Sequence, residues 1–92
     1  MTVASLKLQP RLGLAEAQPL VTALREHSGS DLVIDASEVS HLGTLCLQAL
    51  IAAAREHAAE GTGFLLNNVN DSCVQQLSVY GLSPEALAEG VL

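Results

Sequence analysis

The residues best placed by type and spacing to do chemistry stand close together in the middle of the chain: Ser40, His41, Gly43, Thr44 and Cys46. Thr44 follows a glycine that permits close backbone approach and precedes an apolar helical pattern, so its hydroxyl falls where the first unsatisfied amides of a helix are exposed. Two uses of that hydroxyl follow. Gly43 or Thr44 caps the helix, an arrangement in which a threonine is worth about 1 kcal/mol over alanine. Alternatively Thr44 accepts a phosphoryl group, which adds about −1.5 to −2 charges at a helix start and repels an acidic or apolar partner surface.

Catalysis would need a base beside a nucleophile, and Thr44 or Cys46 with His41 is the constellation available. Cys46 belongs to an apolar helical flank, no oxyanion donors beyond the helix start are evident, and a chain of this length offers little concave pocket. We therefore read no catalytic residue. His27, His41 and His57 form no metal-ligand spacing with Cys, His or carboxylates, so no metal or other cofactor is assigned. Cys46 and Cys73 both lie in apolar helical patterns and read as small, free core residues.

These residues must be positioned by one core. At 92 residues the chain is read as a single domain over 1–92, a size that buries somewhat over ~60% of the surface of the unfolded chain. Hydrophobic residues make up 49% but aromatics only 2%, so the core is aliphatic and the composition argues against a large hot-spot interface, leaving self-association open. Ten acidic residues against four basic ones give a formal charge of −6, which opposes nucleic acid and anionic lipid. The start has neither a charged n-region nor an apolar h-region, and no apolar run reaches the ~20 residues needed to cross a bilayer. The expectation is a cytoplasmic protein with no direct membrane insertion.

Along the chain, Leu6 and Leu8 alternate with Lys7 and Gln9 as in a half-buried strand that stops at Pro10, and a second short strand spans Arg11 to Leu14. Ala17, Leu20, Val21 and Leu24 recur at helical spacing within an amphipathic helix from Ala15 to His27. Leu32 to Ala36 is a continuous apolar run interrupted only by Asp35, the pattern of a central strand covered on both faces. Ser37 to Gly43 reads as a loop. Thr44 to Glu60 is strongly helical, with Leu47, Leu50, Ile51 and Ala54 on one stripe and Cys46, Ala49 and Ala53 flanking it, whereas Gln48, Arg55 and Glu56 take the polar side. Gly61 and Gly63 end the helix, Phe64 to Leu66 supplies another strand, and Leu32 to Leu66 is a βαβ unit. Asn67, Asn68 and Asn70 read as turn residues, Ser72 to Gln75 as a capping box opening a helix that Gly81 closes, and Ser83-Pro84-Glu85 as the start of a last short helix, Pro84 to Glu89.

That order of elements, with a hydroxyl residue opening the helix after the central strand, resembles the STAS domain family over essentially the whole chain. The residues that carry the likeness are Leu32-Val33-Ile34-Asp35-Ala36, then Leu42, then Gly43-Thr44 before Leu45-Cys46-Leu47-Gln48-Ala49-Leu50, together with Pro10-Arg11-Leu12 and Tyr80-Gly81-Leu82. The family carries Asp-Ser or Asp-Thr where this chain has Gly43-Thr44: the hydroxyl is kept and the aspartate is lost. The resemblance implies an α/β domain with a four- or five-stranded mixed sheet and about four helices packed mainly on one face.

It also implies a regulatory role through protein partners, as in anti-sigma factor antagonists. There a partner kinase of the anti-sigma or histidine-kinase-like type phosphorylates the residue at the position of Thr44, and the ATP belongs to that kinase. Other branches are unphosphorylated subunits of lipid-transport ATPase complexes and small proteins of bacterial chemotaxis clusters, the last resembling most the run His41 to Cys46. Asp35, Ser40, His41, Gly43, Thr44 and Gln48 are the partner-binding candidates. For Asp35 the residues themselves favour a second role, capping the turn that starts at Ser37.

Overall fold

The computed structural model describes residues 3–90; Met1, Thr2 and the last two residues of the expected domain lie outside the described residues. Among the described residues five strands and four α-helices follow one another as β1 (Ala4–Lys7), β2 (Arg11–Leu12), α1 (Ala17–Glu26), β3 (Leu32–Asp35), β4 (His41–Leu42), α2 (Thr44–Glu60), β5 (Phe64–Asn67), α3 (Asp71–Val79) and α4 (Pro84–Ala88), with a 3-10 turn, Leu14–Glu16, leading into α1. The central sheet has the order β1-β3-β5, and a separate two-stranded ladder joins β2 to β4.

The α/β class, the strand number and the helix number agree with expectation, but the strand pairing differs. Among the described residues every pairing is parallel, and the strands form two sheets where one mixed sheet was expected. The division has a local cause. The first ladder still catches Leu8, whose N–H donates to the Asp35 carbonyl (2.9 Å), but Pro10 has no N–H to continue it. Opposite, the chain leaves β3 through a turn in which the Ser37 N–H donates to Asp35 Oδ1 (2.9 Å). Pairing resumes only when the N–H groups of Ser40 and His41 both donate to the Pro10 carbonyl, at 2.7 and 3.1 Å. Two residues read as loop, His41 and Leu42, thereby become β4, and β2 ends at Leu12, with Leu14 already in the 3-10 turn.

Alternation along the strands sets the layers. Leu32, Ile34 and Phe64 are buried, and Ala4, Leu6 and Leu66 pack against the same core. The opposite face carries Ser5, Lys7, Val33, Asp35, Leu65 and Asn67; Val33 is only half-buried and Leu65 is 61% exposed. The expectation that β3 is covered on both faces is therefore corrected. Its apolar run reflects shielding of Val33 by neighbouring strands rather than a second layer of helices. Each fully buried leucine in the covered face and its helices contributes about 1.5–3 kcal/mol of transfer free energy.

α2 begins and ends where the sequence places it. Gly43 is its N-cap and Gly61, at φ 77°, takes the left-handed C-terminal position, which a side chain would strain. Cys46, Leu47, Leu50, Ile51, Ala53 and Ala54 are its buried face, and it packs on α1, α4 and β5. His57 on the same helix is buried, with Nδ1 paired to the Thr62 hydroxyl at 2.7 Å and its ring tilted against Phe64 at 5.3 Å. α3 opens two residues earlier than the capping-box pattern suggests: Asn70 is the N-cap, its Oδ1 accepting from the Cys73 N–H at 2.8 Å. The last helix starts as read, with Ser83 capping and Pro84 in the first turn.

Candidate functional site

The chain reaches Thr44 through a tight approach of two backbones. The Gly43 N–H donates to the Leu12 carbonyl at 2.8 Å, closing the β2–β4 ladder onto the start of α2. A Cβ added to Gly43 would stand 2.7 Å from that same carbonyl oxygen, a separation no side chain tolerates. Since φ −75° and ψ 159° are extended angles open to any residue, glycine is required here by contact and not by backbone conformation. The departure from the family's aspartate is thus built into the packing of this chain.

Thr44 is the first helical residue, one place past the cap, and its hydroxyl does not serve the helix amides. It is exposed, and Oγ1 shares a hydrogen bond with the Tyr80 hydroxyl at 3.1 Å. Gly43 carries no capping side chain, so the α2 start lacks the side-chain acceptor that Asn70 and Ser83 give to α3 and α4. Around Thr44 lies an open cleft of about 240 Å³ lined by Gly13, Leu14, His41, Gly43, Thr44 and Leu45. Leu14 is 79% and Leu45 50% exposed, so the rim of the hydroxyl is apolar. The outward residues of the short ladder, Arg11 and His41, are register partners and are both exposed, so a cation and an imidazole stand side by side on a chain of formal charge −6.

The candidates read from the sequence separate into groups. His41, Gly43 and Thr44 share the cleft. Gln48 stands one helical turn beyond Thr44, where it lines a shallow depression with Ile51, Ala52 and Arg55. Ser40 is tied into the fold: its hydroxyl donates to the Pro10 carbonyl at 2.9 Å, and its carbonyl accepts from Gln76 Nε2 at 3.0 Å and the Ser72 hydroxyl at 3.3 Å. Asp35 makes the turn-capping bond to Ser37, and hydrogen bonds from the Ser37 N–H and then its hydroxyl hold the carboxyl below the ordinary range. Asn70 also belongs to the scaffold, since its Nδ2 donates to the carbonyls of Ser37 and Val39 at 3.0 and 2.9 Å.

Cys46 faces the interior. Its thiol donates to the Gly13 carbonyl at 3.5 Å, and burial, followed by the nearby charge of Glu16, pushes its pKa up. Cys73 is likewise buried and shifted up by burial, and both thiols are free. Raised thiols in these surroundings are poor nucleophiles.

Two residues that matter here were not legible beforehand. Gln76 clamps the loop before the cleft onto α3: besides the bond to Ser40, its Oε1 accepts from the buried Leu42 N–H at 2.6 Å. A glutamine three places after the core residue Cys73, on the inward side of α3, is the signal that could have marked it. Tyr80 was visible only as the residue before Gly81-Leu82. Its contact with Thr44 spans 36 positions, and no local pattern reports it.

Fold and site together define a small α/β domain that presents the Thr44 hydroxyl, bonded to that of Tyr80, beside exposed leucines at the start of α2. The chain matches the family model described as Mlab, STAS domain over residues 2–89, and it belongs to the STAS domain family. No curated protein matches it. Domains of this family commonly act as regulatory protein-interaction modules.

Proposed function

We propose that this chain is a non-catalytic, cytoplasmic regulatory domain that docks a signalling protein through the surface around His41, Gly43 and Thr44, with Thr44 as the phosphoacceptor that switches docking. The observation that carries the proposal is the exposed Thr44 hydroxyl on the rim formed by Leu14 and Leu45. Apolar side chains exposed around one polar group suit a protein contact. A phosphate added at their centre would place about −1.5 to −2 charges inside that contact, while the α2 dipole accommodates the anion within this chain. The switch then acts on docking and leaves the fold intact. Any ATP belongs to the partner kinase of the anti-sigma or histidine-kinase-like type.

Binding of the partner by wild type, Thr44→Ala and Thr44→Glu tests this, using the protein that co-purifies from the native host. Wild type and Thr44→Ala should bind within about twofold of each other, and Thr44→Glu should bind at least about tenfold more weakly, the cost of an unpaired charge in an apolar contact. Equal affinity of all three would sink the switch.

Gly43 supports a second reading. Without the family's aspartate, and with Leu12 O only 2.7 Å from where its Cβ would stand, the domain would serve as an unphosphorylated adaptor subunit of a chemotaxis assembly or a lipid-transport ATPase complex. A constant stoichiometric partner with unmodified Thr44 distinguishes that reading.

A further inference from the structure

Tyr80 is the chain's single tyrosine, and the chain has no tryptophan. It ends α3 within a closed C-terminal motif: the Gly81 N–H donates to the Ser78 carbonyl at 2.9 Å and the Leu82 N–H to the Leu77 carbonyl at 2.9 Å. Gly81 takes φ 75°, and Leu77 and Leu82, the pair whose apolar contact accompanies this motif, are both buried. The backbone beneath the ring is therefore fixed. Across from it, Thr44 is fixed by the Gly43–Leu12 bond and the first turn of α2. The hydroxyl–hydroxyl bond of 3.1 Å between them thus joins two rigid helix ends and adds a tether to the tip of a tyrosine that is 43% exposed.

We propose that Tyr80 is a latch on Thr44 that slows its phosphorylation. The proposal rests on the reading of Thr44 as the phosphoacceptor. In phosphoryl transfer the Thr44 oxygen forms a bond to the γ-phosphorus of the nucleoside triphosphate held by the kinase, the bond from that phosphorus to the departing diphosphate breaks, and the hydroxyl proton passes to a base of the kinase. If Thr44 donates to Tyr80, the proton to be removed is engaged. If Tyr80 donates, a lone pair of the attacking oxygen is engaged. In the first case the bond must break before the proton can leave; in the second it lowers the nucleophilicity of the oxygen, whose other lone pair stays free. A hydrogen bond at this exposure slows the step by about 2- to 10-fold, the range corresponding to the net worth of one such bond. Thr44 is then poised but restrained, and its hydroxyl partner comes from α3 rather than from position 43, where no side chain fits.

Two measurements test the latch separately from the phosphoacceptor reading. The first needs no kinase: the fluorescence anisotropy decay of the single tyrosine in purified wild type and Thr44→Ala. Loss of the bond should add a fast component in the variant; identical decays would overturn the latch even if Thr44 is phosphorylated. The second is the time course of Thr44 phosphate occupancy, by phosphopeptide mass spectrometry, in the native host after induction of wild type or Tyr80→Phe. The initial rate should rise about 2- to 10-fold in Tyr80→Phe, whose exposed phenyl ring leaves the thermal midpoint within a few degrees of wild type. An equal rate overturns the latch, and a lower rate overturns it in favour of Tyr80 as a kinase-recognition residue. Absence of phosphate from both proteins refutes the phosphoacceptor reading and the latch with it, whatever the anisotropy shows.

Discussion

Replacing Gly43 by alanine isolates the contact that builds the start of the site. The added methyl would meet the Leu12 carbonyl oxygen at 2.7 Å, and neither partner can swing away, since both belong to the backbone of the β2–β4 ladder. Relief requires the start of α2 to withdraw from β2, which stretches the 2.8 Å Gly43–Leu12 bond. Overpacking of this kind costs about 1–3 kcal/mol, and partial loss of the hydrogen bond adds about 0.5–1 kcal/mol. Against this, alanine lowers the entropy of the unfolded chain, a gain of about 0.4–1 kcal/mol, and suffers no penalty at these angles. The net loss is about 2 kcal/mol, or a fall of roughly 8–16 °C in melting temperature for a domain of this size.

Thermal and urea unfolding followed by circular dichroism measure this loss directly. Gly63→Ala is the matched control: its Cβ would lie 3.4 Å from the Asp31 carboxylate, an ordinary contact that leaves the 2.7 Å bond from the Gly63 N–H to Asp31 Oδ1 in place, and it should lose less than about 1 kcal/mol. Gly43→Asp should be at least as damaging as Gly43→Ala, so restoring the family's residue should not restore a family-like switch. A Gly43→Ala protein as stable as wild type would refute the claim that contact with Leu12 dictates glycine at this position.

Further outcomes follow from neighbouring residues. Gln76→Ala should cost about 1–3 kcal/mol because the buried Leu42 N–H loses its acceptor, and hydrogen exchange at Leu42 should accelerate. Asn70→Ala should cost about 1–2 kcal/mol through loss of the α3 cap, whereas Thr44→Ala, which removes no cap, should stay within about 1 kcal/mol of wild type. The Asp35 carboxyl lies below its ordinary value of 3.8 because Ser37 donates to the charged form. Its contribution is therefore complete above the unfolded pKa and is lost as pH falls through the folded one. Asp35→Asn should accordingly flatten the decline in stability on acidification below about pH 4. Cys46 and Cys73 should resist iodoacetamide in the native protein and react once urea unfolds it, as expected of buried thiols shifted upward by burial.

α2 was legible to the residue because its apolar stripe is long and glycines stand at both ends, each signal local and repeated over several turns. The βαβ unit around it followed from the same pattern. β4 was not legible, since a two-residue strand has no periodicity and exists only because β2 arrives beside it from 30 positions away, as the Ser40–Pro10 bond shows. The open face of β3 was hidden because Leu32-Val33-Ile34 is apolar at every position and does not reveal which face a helix covers. α3 was read from the capping-box pattern at Ser72, whereas Asn70, read as a turn residue, is the cap, held there by an amide that also bridges to the distant carbonyls of Ser37 and Val39. Of the site, the hydroxyl at Thr44 and the glycine before it were visible, but the carbonyl that demands the glycine and the phenol that binds the hydroxyl come from distant segments.

Phosphopeptide and intact-mass spectrometry of the protein isolated from its native host with its co-purifying partner, alongside a phosphatase-treated control, tests the switch most directly. The account predicts phosphate on Thr44 in the partner-free fraction, its removal by phosphatase, and unmodified Thr44 in the partner-bound fraction. Unmodified Thr44 in both fractions, with the partner present at constant stoichiometry, would contradict the switch and leave a permanent adaptor.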